Sequence, residues 1–131
     1  MIGSCLCGAI EYQLKTDIKT LIHCHCLRCR KETGSAFSSV ARIPTESFSL
    51  IKGKEFIKIY SEHGVHRHFC SNCASTLFTS RDALPDFYSL RVGLLNDSIE
   101  PTKLHVYVDS KANWDEILDH YPQFATMPDK I

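Results

Sequence analysis

Residues 69–76 read Phe-Cys-Ser-Asn-Cys-Ala-Ser-Thr, and the Cys70-x-x-Cys73 knuckle within them supplies two of the four thiolates that close a tetrahedral zinc site. The other two are sought elsewhere among seven cysteines that fall in three tight groups: Cys5 and Cys7; Cys24, Cys26 and Cys29; Cys70 and Cys73. In an extended segment residues i and i+2 face the same way, so Cys5 and Cys7 can address one metal while Leu6 points elsewhere. Pairing them with Cys70 and Cys73 clamps the N-terminal strand onto the middle of the chain, which is the work of a structural zinc coupled to folding. The seven cysteines then divide as four plus three.

A disulfide framework fits this pattern poorly. The count is odd, and bridges between neighbours at i,i+2 or i,i+3 rarely meet disulfide geometry without strain. The opening MIGSCLCGAI has neither a basic n-region nor an apolar h-region, so an exported, oxidised protein is not expected. The expectation is a reducing, cytoplasmic setting in which such cysteines bind metal.

The middle group, His23-Cys-His-Cys-Leu-Arg-Cys29, brings three thiols from a strand end and the first turn after it. Three ligands leave zinc one position for a water or a thiol that loses its proton there, so this cluster is the expected catalytic site. A closed site completed by His23, His25 or a distant histidine is the alternative. Arg28, Arg30 and Lys31 follow immediately; they could offset the negative thiolate centre and hold an anionic substrate, or merely complement the end of a short helix. His63, His66, His68, His105 and His120 have no ligand spacing with the cysteines and read as surface or packed residues. Trp114 reads as a core or interface anchor.

The chain of 131 residues, 44% of them hydrophobic, is long enough for one domain with a core of its own, spanning residues 1–131. Fifteen Lys and Arg balance fifteen Asp and Glu, so no global field steers a nucleic-acid backbone. No stretch approaches the ~18 apolar residues of a membrane span. Runs rich in β-branched and aromatic residues alternate with turn signals: AIEYQL (9–14), TLIHC (20–24), FSSVARI (37–43), SFSLI (47–51), EFIKIYS (55–61), VHRHFC (65–70), STLFTS (75–80), FYSLRVGLL (87–95) and KLHVYVD (103–109). These predict a mainly β protein of antiparallel sheet. Helix is expected only at about Leu27–Thr33, ended by Gly34, and around Asp115–His120, stopped by Pro122.

Taken together, SCLCGAI (4–10), HCHCLRCRKETGSAF (23–37), FCSNCAST (69–76) and HVYVDSKANWDEI (105–117) resemble the glutathione-dependent formaldehyde-activating enzyme family, which includes centromere protein V. The resemblance runs from Cys5 to about Pro128. It implies an antiparallel β-tent with one or two short helices, stabilised by a structural zinc on Cys5, Cys7, Cys70 and Cys73. It also implies a second, sometimes weakly held catalytic zinc on Cys24, Cys26 and Cys29. Ala74 departs from the pattern, standing where members commonly carry Gly. The chain is also shorter than the formaldehyde-handling members, which bears on glutathione as the substrate.

The function this implies is that of a carbon-sulfur lyase or synthase acting on a small thiol adduct, such as S-hydroxymethylglutathione formed from glutathione and formaldehyde. Arg28, Arg30 or Lys31 would hold the substrate carboxylates. The alternatives are a zinc-held protein-interaction module and a thiol redox or metal sensor built on the middle cysteines.

Overall fold

A computed structural model describes residues 1–130. Ten strands are formed: β1 (Ile2–Ser4), β2 (Glu11–Leu14), β3 (Thr20–Cys24), β4 (Ser38–Pro44), β5 (Phe48–Lys52), β6 (Ile57–Glu62), β7 (Val65–Cys70), β8 (Thr76–Arg81), β9 (Leu84–Arg91) and β10 (Thr102–Val106). One α-helix, α1 (Leu27–Thr33), and four short 3-10 turns complete the elements. The protein is therefore mainly β, consistent with a β-tent-like fold. No helix among the described residues is long and apolar enough to cross a membrane.

The chain forms two compact units. The first comprises Met1–Ile18 and Ala41–Glu100. In it β2 pairs antiparallel with β1 and β5, and alternation along Glu11–Leu14 turns Tyr12 and Leu14 inward. A second set of strands follows the order β4-β9-β8-β7-β6. Ile10, Tyr12, Ile43, Leu77 and Leu90 form the centre of its core. Gly3 lies against the Tyr12 ring, where a Cβ would overlap Cζ and Oη and stand 2.6 Å from Cε2. His68, Phe78 and Tyr88 stack across β7, β8 and β9, with ring centroids 4.3 and 4.0 Å apart.

The second unit comprises Lys19–Val40 and the chain from Pro101 onward. Here β3 pairs antiparallel with β4 but parallel with β10, Cys24 opposite Val106. The parallel pair corrects the expectation of purely antiparallel sheet. Parallel neighbours need a long connection, and the 77 residues between Cys24 and Thr102 provide one that strand spacing alone does not reveal. Helix α1 matches the sequence reading in extent, with Cys26 as N-cap and Gly34 in the left-handed conformation (φ 63°) that ends it.

The helix expected around Asp115–His120 does not form. That segment is mostly exposed and has no buried face to stabilise a short helix. The chain beyond it instead lies along β10: His105 N–H donates to Pro122 O (2.8 Å) and Phe124 N–H to His105 O (2.9 Å).

Candidate metal centres

In the first unit the turn after β1 and the knuckle after β7 bring the Sγ atoms of Cys5, Cys7, Cys70 and Cys73 within 4.8 Å of one another. Cys5 and Cys7 Sγ are 3.6 Å apart, and Cys7 and Cys70 Sγ 3.9 Å. These separations are too long for S–S bonds, and all seven cysteines are free. They match the edge of a tetrahedron with zinc–sulfur bonds of about 2.3 Å, which is about 3.8 Å. Ile10 N–H donates to Cys5 Sγ (3.3 Å). The Asn72 side chain lowers the pKa of the exposed Cys7. Burial opposes ionisation of Cys73, yet hydrogen bonds from Ser75 and its neighbours bring its thiol down to about 5. Burial pushes Cys70 up to about 11. The donor set and spacing fit a four-thiolate zinc site.

In the second unit the Sγ atoms of Cys24, at the end of β3, and of Cys26 and Cys29, across the first turn of α1, also lie within 4.8 Å of one another. No fourth His, Cys, Asp or Glu donor joins this group among the described residues. Cys24 and Cys29 are buried and Cys26 half-buried. Cys29 N–H donates to Cys26 Sγ (3.4 Å), so the sulfur caps the helix. Hydrogen bonds from Cys24 and Cys29 hold the Cys26 thiol far below its ordinary range, while the same bond to Cys26 pushes Cys24 up. The three sulfurs are soft donors at ligand spacing, and the trio fits three-thiolate zinc coordination.

The neighbouring histidines are engaged elsewhere. His23 Nδ1 lies 3.2 Å from Ser39 Oγ, and burial, reinforced by His105, draws its pKa down to about 4. His25, fully buried, places Nε2 2.9 Å from Nδ1 of the buried His105, whose Nε2 lies 2.9 Å from Asp119 Oδ2. Burial lowers the pKa of His25. The Asp119 carboxylate accepts from His105 Nε2–H. His25 Nδ1 is buried without a hydrogen-bond partner among the described residues. The phenyl ring of Phe37 packs near all three imidazoles. Sequence reasoning set His105 among the bland histidines and did not single out Asp119. The i,i+2 spacing of His23 and His25 was the available signal, but their partner lies 80 residues away.

Of the expected substrate-binding residues, Arg30 and Lys31 line an open recess of about 220 Å³ with Leu27, Gly34, Ser35 and Trp114; Arg28 does not line it. Arg30 donates from Nη1 to Ser110 O (3.0 Å). Trp114 is 67% exposed and also borders a recess of about 530 Å³ beside Lys111, Asp115 and Gln123, so of the two roles the sequence suggested, core or interface anchor, the core one does not hold.

A Halomonas elongata protein named as a candidate glutathione-dependent formaldehyde-activating enzyme is 27% identical, the match covering 98% of this chain and 88% of that protein. A Podospora anserina protein of the same name is 25% identical over 97% of this chain, which spans about half (54%) of the fungal protein. An uncharacterised Schizosaccharomyces pombe lyase is 33% identical over 58% of this chain and 54% of its own length. A solved Rhodobacter sphaeroides protein, 24% identical, shares the fold with a TM-score of 0.64 over 75% of this chain and 90% of that one. The sequence profile described as glutathione-dependent formaldehyde-activating enzyme matches residues 1–110, and the chain belongs to that family.

Proposed function

We propose that this protein is a zinc-dependent carbon-sulfur lyase or synthase acting on a small thiol adduct, with glutathione and formaldehyde as the leading pair. The observation that carries this reading is the difference between the clusters: four thiols gather in the first unit, whereas three gather in the second with no fourth donor among the described residues. Four suit a closed structural site and three a site with room for a ligand. In this reading Cys5, Cys7, Cys70 and Cys73 hold a structural zinc within a single zinc-binding domain of residues 1–131, and Cys24, Cys26 and Cys29 hold the catalytic one.

A zinc ion held by the three thiolates supplies Lewis acidity that brings the pKa of a thiol toward neutrality. The chain itself orients and neutralises. Cys26 Sγ is fixed by the Cys29 N–H, and His25 stays neutral beside the cluster. Arg30 and Lys31, in the last turn of α1 where they line the recess with Trp114, offer cations to a substrate carboxylate; Arg28 remains a third candidate. In the synthetic direction the thiol sulfur bonds to the aldehyde carbon, the carbonyl π bond breaks, and the thiol proton ends on oxygen, giving a hydroxymethyl thioether.

The test is the exchange rate between formaldehyde plus glutathione and S-hydroxymethylglutathione, followed by NMR, together with zinc content before and after glutathione is added. Two zincs per chain, accelerated exchange, and loss of one zinc and of the acceleration in Cys26→Ser are expected. Exchange at the uncatalysed rate with zinc fully loaded would overturn the assignment.

A further inference from the structure

Strand β6 ends its sheet, and among the described residues no strand covers its outer edge. It is also unusually bare: Lys58 through Glu62 are all exposed, with Ile59 at 55% and Tyr60 at 53%. Its inner edge pairs with β7, from Ile57 opposite Cys70 to Glu62 opposite Val65, around the two-residue turn His63-Gly64. In such a hairpin the pair flanking the turn exchanges both backbone bonds, and so does every second pair after it. The bond from Ser71 N–H to Phe56 O obeys the same parity, so Phe56, Lys58, Tyr60 and Glu62 direct their backbone groups inward. Ile59 and Ser61 direct theirs outward, with no partner among the described residues. Ile57 is half committed, its N–H closing the preceding 3-10 turn on Lys54 O.

From this pattern we infer that β6 is a self-complementary edge on which a second copy of this chain pairs, antiparallel, about a two-fold axis through Tyr60. Only registers that set outward residues against outward residues can form a ladder. With Ile59 opposite Ser61 of the second copy, all four outward N–H and all four outward C=O groups near the axis are used. The same register sets Lys58 against Glu62 of the second copy twice, in the non-hydrogen-bonded positions where side chains approach most closely, with the two Tyr60 rings between them. Shifting by one allowed step either way lays Lys58 against Tyr60 or against Gly64 and loses both charge pairs. In the other direction it also places turn residue His63 opposite Ile59. Charge complementarity therefore selects one register and one occupant. Glu62 is already held in place, its Oε2 accepting from Tyr60 Oη–H (3.1 Å), and the Arg67 guanidinium lies 5.7 Å from the Tyr60 ring centroid.

The experiment is sedimentation equilibrium on the full chain in its reduced, metal-loaded form over a wide concentration range. A monomer–dimer equilibrium is expected. Lys58→Glu or Glu62→Lys alone should weaken it by about tenfold, and the double swap should restore it, because the pair is regained with reversed sign. Both side chains are exposed, so neither change threatens folding. Ile59→Pro removes an outward N–H without touching the β6–β7 ladder and should abolish the dimer. Carbodiimide coupling supplies the positive signature. Lys58 and Glu62 of one strand are about 13 Å apart, so a Lys58–Glu62 crosslinked peptide can come only from two chains. A monomer at all concentrations would overturn the inference. So would a dimer indifferent to the charge swaps and to Ile59→Pro, which would use another surface.

Discussion

His25 Nε2 and His105 Nδ1 lie 2.9 Å apart with both rings buried, and they tie strand β10 to the backbone between two of the clustered cysteines. Removing one partner strands the other. His105→Leu leaves His25 with both ring nitrogens buried and unpaired, so unfolding in denaturant should show a loss of about 1–3 kcal/mol. Asp119→Ala removes an exposed carboxylate and should cost clearly less. Equal losses would show that the two imidazoles do not depend on each other.

The contact of Gly3 with the Tyr12 ring gives a second expectation. Because a Cβ on Gly3 would overlap the ring, Gly3→Ala should destabilise the first unit by about 1–3 kcal/mol, read as a lower unfolding midpoint. Larger residues should be worse.

Tyr12 also predicts alkaline behaviour. Burial raises its pKa, and its hydroxyl is buried without a partner among the described residues. Unfolded tyrosine ionises near pH 10. Above that pH the unfolded chain has lost a proton that the native chain keeps, so the stability present below about pH 10 declines as pH rises. Tyr12→Phe should flatten this decline and be neutral or slightly stabilising at pH 7. An unchanged alkaline limb in a pH series of unfolding midpoints would count against it.

Ala74 occupies the left-handed region (φ 66°), with its N–H on Cys70 O (2.7 Å). A side chain there carries strain that glycine lacks. Ala74→Gly should stabilise by up to about 1 kcal/mol and leave the metal content unchanged, both measurable on one purified sample.

The two clusters should respond differently to loss of a thiol. Cys73→Ser is expected to release the metal of the first unit and lower the melting temperature steeply, since binding energy there is folding energy. Cys26→Ser keeps a competent N-cap on α1, as serine caps helices well, so its melting curve should move little. Similar losses in both variants would mean that the two sites share one structural role.

Much of the site was legible because it is local. The i,i+2 and i,i+3 spacings of the cysteines, the extent of α1 with Gly34 behind it, and the runs 20–24 and 65–70 follow from the stereochemistry of a few consecutive residues, and each appears in the structure. The unusual backbone at Ala74 was likewise flagged by its departure from the family pattern. β1 was missed because three residues, Ile-Gly-Ser, are too short to show a period.

The histidine chain, the parallel β3–β10 pair and the extended course of residues 122–126 were of another kind. Each depends on which distant backbone or ring comes to lie beside a given residue. Local pattern cannot specify that, because the same apolar and polar alternation serves a strand whichever neighbour it acquires. Thus the residues alone gave the grouping of the cysteines and the β-rich class. Long-range packing alone placed His105 and Asp119 behind His25, drew the C-terminal segment out along β10 instead of into a helix, and left Trp114 at the rim of two recesses. The contact of His25 with His105 became favourable only when two rings 80 residues apart were buried together, whereas Trp114 stayed 67% exposed.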